Sequence, residues 1–267
     1  MDEAYPAAVG LDLSHVVHTD GVGLIEGQVE VPTYDGILPA YAARPAGPGP
    51  FQLVIVAEEI FGVHEHVRDV CRRFAKQGYA AIAPELLHRH GDPGQAGDVD
   101  TILHGIVAKV SDDEVRRDLQ AVLAHLLEDE ALAVDGGRVA VVGFCWGGRV
   151  AWMAAAHMVE ITAAVAWYGL IDGPRDAAHP SQPIDHAGAL RVPVLGLYGG
   201  QDTVVGQDNV ARMRAALRPG SEIVTYPGAG HGFFADYRPS FVPGAAADGW
   251  RRTLAWLAQH LKPAPAG

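Results

Sequence analysis

A cysteine lies between glycines where a predicted strand turns into a predicted helix. The segment 143–148 reads Gly-Phe-Cys-Trp-Gly-Gly and follows the apolar run 138–142. In this G-x-nucleophile-x-G pattern a sharp turn raises Cys145 above the sheet, and the amide of Trp146 can donate to an oxyanion. The positive end of the following helix favours a thiolate. The pattern predicts that Cys145 is a nucleophile, although a free cysteine can also be a small core residue.

An elbow nucleophile needs a base and a carboxylate that orients the base, and both follow in the expected chain order. Asp202 comes after the apolar run 192–198, and His231 comes after the run 222–226. Both lie in glycine-rich loops at strand ends, on the edge of the sheet where Cys145 is expected. The order nucleophile, acid, histidine predicts a Cys-His-Asp triad. An ordinary turn is the alternative for Asp202.

Alternating strands and helices are predicted to position these loops. Continuous apolar runs indicate strands buried on both faces, and apolar residues with a helical period indicate the helices between them. The predicted strands are 22–31, 37–43, 53–57, 79–83, 138–142, 163–167, 192–198 and 222–226. The predicted helices contain the apolar stripes 67–75 and 115–126 and the segments 147–158, 207–217 and 246–261. We therefore expect an α/β fold whose mainly parallel central sheet has helices on both faces and an N-terminal antiparallel hairpin.

Composition excludes several classes of partner. The chain has 267 residues, 49% of them hydrophobic, and a formal charge of -12, which opposes binding to nucleic acids and anionic membranes. No apolar run is long enough to span a membrane, and no signal peptide is visible. Two cysteines fit a reducing compartment, so we expect a cytoplasmic protein. We expect one domain over 1–267, with 1–20 and 262–267 loosely ordered.

No cofactor or metal is expected. The histidine pairs at 64/66 and 88/90 lack the i, i+4 spacing of a zinc-binding helix, and no further ligand stands out. The sequence also has no Walker A loop and no dinucleotide-binding glycine motif after its first buried strand. The chemistry must therefore come from the side chains themselves.

Five segments together resemble the dienelactone hydrolase family, the carboxymethylenebutenolidase branch of the α/β-hydrolase fold. They read Glu-Glu-Ile-Phe-Gly at 58–62, Ala-Pro-Glu-Leu at 83–86, Gly-Phe-Cys-Trp-Gly-Gly at 143–148, Gly-Gly-Gln-Asp at 199–202 and Gly-His-Gly-Phe at 230–233. They occur in the family order. The resemblance implies Cys145 as the nucleophile, Asp202 and His231 as its partners, and the backbone amides of Ile60 and Trp146 as oxyanion donors.

The resemblance also implies a role for Glu59. In the family a glutamate at this place interacts with the resting thiol and swings away when substrate binds, which lets the histidine generate the thiolate. A desolvated carboxylate can exchange a proton with a nearby thiol. The residues alone show only that Glu58 and Glu59 follow a buried strand, and a solvated loop is the alternative.

Substrate-binding residues follow from the same resemblance. Phe61 and Tyr168 match aromatic positions near the family's substrate. Arg89 resembles the arginine that pairs with a substrate carboxylate, and a surface arginine is the alternative. A second family arginine after the catalytic histidine is not matched, because Ala235 stands at the comparable offset. Arg238 could reach the same space from a different backbone position.

These residues predict a hydrolase that cleaves a small ester or enol-lactone of the carboxymethylenebutenolide type through an acyl-enzyme on Cys145. A thiol suits a good leaving group such as an enolate. The expected partner is a small-molecule ester or lactone, anionic if the arginines bind it, and the expected state is a monomer or homodimer. The alternatives are a general esterase or thioesterase, and a non-catalytic protein that binds a ligand or senses oxidation through Cys145.

Overall fold

The computed structural model describes residues 5–128 and 133–261. Within these residues eight strands form one sheet in the order β1-β2-β4-β3-β5-β6-β7-β8. The strands are β1 (Leu24–Pro32), β2 (Ile37–Pro45), β3 (Phe51–Ala57), β4 (Ala80–Pro84), β5 (Val134–Phe144), β6 (Ala163–Trp167), β7 (Val194–Gly199) and β8 (Glu222–Tyr226). Strands β3 to β8 pair in parallel, whereas β2 is antiparallel to both β1 and β4. The expected α/β-hydrolase architecture, with its N-terminal hairpin, is confirmed.

Helices cover both faces of this sheet. They are α1 (Glu65–Lys76), α2 (Val99–Gly105), α3 (Asp112–Glu128), α4 (Trp146–His157), α5 (Pro183–His186), α6 (Gln207–Ala216) and α7 (Pro243–His260). Val54 and Val56 pack in the apolar layer that contains α1 and α7, while Leu53 and Ile55 pack in the layer with α3, α4 and α6. Because successive strand residues point to opposite faces, residues 53–57 of β3 are apolar on both faces. None of the described helices could cross a lipid bilayer.

Local hydrogen bonds determine where two helices begin. The Glu114 amide donates to Ser111 Oγ at 3.1 Å, which caps the start of α3. The Asp98 carboxylate accepts from the Thr101 amide at 2.8 Å and starts α2. Neither α2 nor the four-residue α5 was expected, because helices this short carry little apolar periodicity.

Residues 5–19, hereafter the N-terminal segment, are tied to the rest of the fold. The Asp12 amide donates to the Tyr237 carbonyl at 2.9 Å, and the Thr19 amide donates to Asp69 Oδ1 at 2.6 Å. These residues, for which loose order was expected, thus contact parts of the chain that are distant in sequence. Residues 1–4 and 262–267 lie outside the described residues.

Candidate active site

Cys145 occupies a strained turn between β5 and α4. Its backbone has φ 54° and ψ -115°, a conformation that side chains rarely adopt. Glycine neighbours allow the turn to pack closely: a Cβ on Gly147 would lie 2.2 Å from the Ala57 carbonyl oxygen, at the end of β3. The thiol is half-buried and free. This geometry is a nucleophile elbow.

Asp202 and His231 form a hydrogen-bonded pair in the loops after β7 and β8. His231 Nδ1 lies 2.9 Å from Asp202 Oδ2. The other Asp202 oxygen accepts from the amides of Val204 and Val205 at 2.8 and 3.0 Å, which fixes the carboxylate. Burial would raise the pKa of Asp202, but the hydrogen bond and charge of His231 and these two amides lower it overall. Asp202 therefore stays ionised and orients the imidazole.

His231 is electrostatically coupled to Cys145. Burial lowers the pKa of His231, but the charge of Cys145 and the interactions with Asp202 outweigh this effect and raise the pKa to about 10. Nε2 of His231 is buried and hydrogen-bonds to no other described residue, so that nitrogen is free to exchange a proton with the thiol. Cys145, His231 and Asp202 thus lie in three separate loops and interact electrostatically through the imidazole.

Two backbone amides lie near the elbow and lack acceptors. Ile60 follows β3, and Trp146 is the first residue of α4; both residues are buried. Within the described part of the chain neither amide donates a hydrogen bond. Unpaired buried amides are unusual, and the elbow turn places this type of donor beside the nucleophile.

Glu59 is buried in a polar cluster and not in a solvated loop. The residue is 1% exposed. Tyr237 Oη donates to Glu59 Oε2 at 3.0 Å, and Arg238 Nη1 lies 3.6 Å from Glu59 Oε1. The Arg238 guanidinium also lies over the Phe61 ring, 5.6 Å from its centroid. The structure thus brings Glu59, Phe61 and Arg238 together. Tyr237 was missed; the only signal was its place six residues after His231, in a loop that returns to the site.

Tyr168 forms another side of the site. It is fully buried after β6, and its ring makes an edge contact with His231 at a centroid distance of 5.1 Å. Its Oη has no hydrogen-bond partner among the described residues. Burial and the charge of Glu59 raise the pKa of Tyr168 well above its ordinary value, so the hydroxyl stays protonated. It can donate to a substrate oxygen.

Arg89 is paired with two carboxylates of the protein itself. Its Nε and Nη2 donate to Asp35 at 2.9 and 2.8 Å, and its Nη1 donates to Asp118. Asp35 belongs to the β1–β2 turn, at the outer edge of the sheet, and Asp118 is a buried residue of α3. The guanidinium of Arg89 is thus paired within the protein.

The described residues contain no cluster of three or more histidine, cysteine or acidic side chains suited to a metal ion. The grouped side chains are those of nucleophilic acyl transfer: a thiol, a histidine held by a carboxylate, and free amides.

Comparison with known proteins places this chain in a family. A model of the dienelactone hydrolase family matches residues 38–261. The chain belongs to the dienelactone hydrolase family. Membership makes it a hydrolase of ester or lactone substrates, in agreement with the sequence-based expectation.

Individual dienelactone hydrolase relatives extend over nearly the whole chain. A protein of Escherichia coli K12 named "Putative carboxymethylenebutenolidase" is 48% identical and covers 96% of this chain and 94% of its own. A Bradyrhizobium protein named "Probable 2-oxo-3-(5-oxofuran-2-ylidene)propanoate lactonase" is 31% identical over 83% of this chain and 89% of its own. A crystal structure of a Klebsiella pneumoniae protein named "Putative Dienelactone Hydrolase" has a TM-score of 0.85 and 48% identity, covering 88% of this chain and 99% of that one.

Proposed function

We propose that the protein hydrolyses small esters or enol-lactones with Cys145, His231 and Asp202 as a catalytic triad. One observation carries this proposal: a single imidazole contacts the Asp202 carboxylate through Nδ1, while its Nε2 is unpaired and feels the charge of Cys145. A base placed between an orienting acid and a nucleophile is the arrangement that acyl transfer requires.

In the proposed reaction His231 accepts the Cys145 proton, and the thiolate sulfur attacks the ester carbonyl carbon. The amides of Ile60 and Trp146 stabilise the negative oxygen of the tetrahedral intermediate. The carbon–oxygen ester bond then breaks, and the leaving oxygen takes the proton from His231. A water molecule, deprotonated by His231, attacks the resulting thioester, the carbon–sulfur bond breaks, and the acid and the thiolate are released.

The thiol nucleophile favours substrates with a good leaving group. In the tetrahedral intermediate, thiolate expulsion competes with expulsion of the substrate oxygen, so an enolate leaves more readily than a simple alkoxide. We propose an enol-lactone of the carboxymethylenebutenolide type, for which the names of the relatives are further support. Phe61 and Tyr168 would form its pocket. Arg238, which lies beside Glu59 and Phe61, would be the cation that faces an anionic substrate.

The test is turnover of 4-nitrophenyl acetate and of an enol-lactone by matched cysteine variants. Cys145→Ala should abolish both activities while the circular dichroism spectrum stays unchanged. Cys71→Ala is the control, because Cys71 is buried in the core on α1. Undiminished hydrolysis by Cys145→Ala would reject the proposal.

Specificity can be tested with the same preparations. The proposal predicts a higher kcat/KM for the enol-lactone than for simple alkyl esters and acyl thioesters. The opposite order would favour a general esterase or thioesterase. Stoichiometric alkylation of Cys145 by iodoacetamide without turnover of any ester would instead favour a ligand-binding or redox-sensing protein.

We further propose that the enzyme works in the cytoplasm, because both of its cysteines are free and a reducing compartment keeps them so. Every group in the proposed mechanism comes from one chain, so a monomer or a homodimer would serve equally well.

A further inference from the structure

The buried Glu59 carboxylate contacts Tyr237 and Arg238, which are adjacent to each other in the sequence. Tyr237 Oη holds one of its oxygens at 3.0 Å, while the other lies 3.6 Å from the guanidinium and has no hydrogen bond to any described residue. A buried carboxylate with so few partners depends strongly on each of them. The position of Tyr237 therefore decides where the charge of Glu59 lies.

Tyr237 is fixed in turn by the N-terminal segment. The Tyr5 ring stacks on the Tyr237 ring, with centroids 5.3 Å apart and an interplanar angle of 20°. The Asp12 amide donates to the Tyr237 carbonyl at 2.9 Å, and the Val17 amide donates to Asp236 Oδ2 at 3.4 Å. The ring and the backbone carbonyl of Tyr237 thus both contact the N-terminal segment. The segment precedes residue 38, where the match to the family begins.

The charges beside Cys145 explain why this support matters. His231, Tyr168 and Arg238 all interact electrostatically with Cys145, and Glu59 interacts with both Tyr168 and Arg238. A carboxylate that moved toward the sulfur would disfavour the thiolate, whereas a carboxylate held on Arg238 leaves proton exchange to His231.

We propose that Tyr237 is a positioning residue, supported by Tyr5 of the N-terminal segment, that holds Glu59 on Arg238 and away from the Cys145 thiol. This proposal rests on the proposed role of Cys145 as nucleophile. It gives the N-terminal segment a part in the chemistry although none of its residues touches the reacting atoms.

The test measures the rate of Cys145 alkylation by iodoacetamide at pH 7, followed by mass spectrometry. Tyr237→Phe keeps the ring but loses the hydroxyl, and should slow alkylation about tenfold, as expected for loss of a hydrogen bond to a charged group. Tyr5→Ala should slow it about threefold through loss of the stacked ring, and Tyr5→Phe should restore the rate. Leu13→Ala, a change at an exposed residue of the same segment, is the matched control with an unchanged rate.

A double-mutant cycle separates positioning from general stability. In a Glu59→Gln background, Tyr237→Phe and Tyr5→Ala should have no further effect on alkylation, because the charge that they position is gone. Slowing of the same size in that background would overturn the proposal. So would a Tyr5→Ala protein that melts earlier but is alkylated at the wild-type rate. Alkylation needs no ester turnover, so failure here differs from failure of the proposed function, which Cys145→Ala tests.

Discussion

Replacing Cys145 with alanine is expected to lower the pKa of His231. In the intact site burial alone would push this pKa below 6.5, yet the charges of Cys145 and Asp202 raise it to about 10. The difference corresponds to about 5 kcal/mol in favour of the imidazolium, at about 1.36 kcal/mol for each pH unit. The charge of Cys145 is the largest of the contributions that raise the pKa.

Without the thiol, burial and Asp202 remain and oppose each other. We expect the pKa of His231 in Cys145→Ala to fall from about 10 toward its ordinary value, because the largest contribution that raises it is gone. Wild-type protein should thus carry imidazolium throughout the neutral range, while the variant should titrate at a lower pH.

The measurement is an NMR titration of the histidine ring Cε1–H signals between pH 5 and about 10.5. The chain has 13 histidines, so the His231 signal is assigned by its loss in His231→Gln. A Cys71→Ala sample controls for removal of a thiol elsewhere. If His231 titrates at the same pH with and without Cys145, the coupling between the two groups is refuted.

Three further predictions concern stability and binding. The pKa of Asp236 is lowered to about 2 by its ion pairs despite burial. Its contribution of about 2 kcal/mol to the free energy of unfolding is therefore present above pH 4 and lost as the pH falls toward 2. In urea unfolding, wild type should be more stable than Asp236→Asn at pH 7, and this difference should shrink at pH 3. Gly147→Ala should reduce hydrolysis more than about tenfold and lower Tm, because its Cβ would lie 2.2 Å from the Ala57 oxygen; wild-type kinetics would contradict this packing. Arg89→Gln should lower the free energy of unfolding by about 3 kcal/mol, since it leaves a buried carboxylate unpaired, but should not alter KM. Arg238→Gln should raise KM for an anionic substrate. The reverse KM pattern would show that the substrate lies at Arg89.

The sheet architecture, the turn at Cys145 and the placement of Asp202 and His231 at strand ends could be predicted because they depend on local patterns. The apolar runs at 53–57 and 163–167 specify buried strands wherever they occur, and the glycines around Cys145 specify the turn. Since parallel strands align their carboxyl ends, Asp202 and His231 could be placed on the same edge of the sheet without knowledge of any contact.

Contacts between distant residues could not be predicted in this way. The partners of Arg89 are Asp35 and Asp118, which lie far away in the sequence. Nothing within its own loop distinguishes an arginine that binds substrate from one that forms ion pairs within the protein. The order of the N-terminal segment likewise depends on partners such as Tyr237, more than two hundred residues away. The resemblance suggested a function for Glu59, but only the fold shows which groups hold it.

The backbone at Cys145 has a consequence for the energetics of the whole fold. With φ 54° and ψ -115°, this residue occupies a region that only glycine enters without strain. A Cys145→Gly protein should therefore unfold at a higher urea concentration than wild type, by about 1 kcal/mol, while being unable to turn over any ester. A screen that selects only for heat resistance would therefore favour glycine over cysteine at this position, although glycine removes the proposed nucleophile.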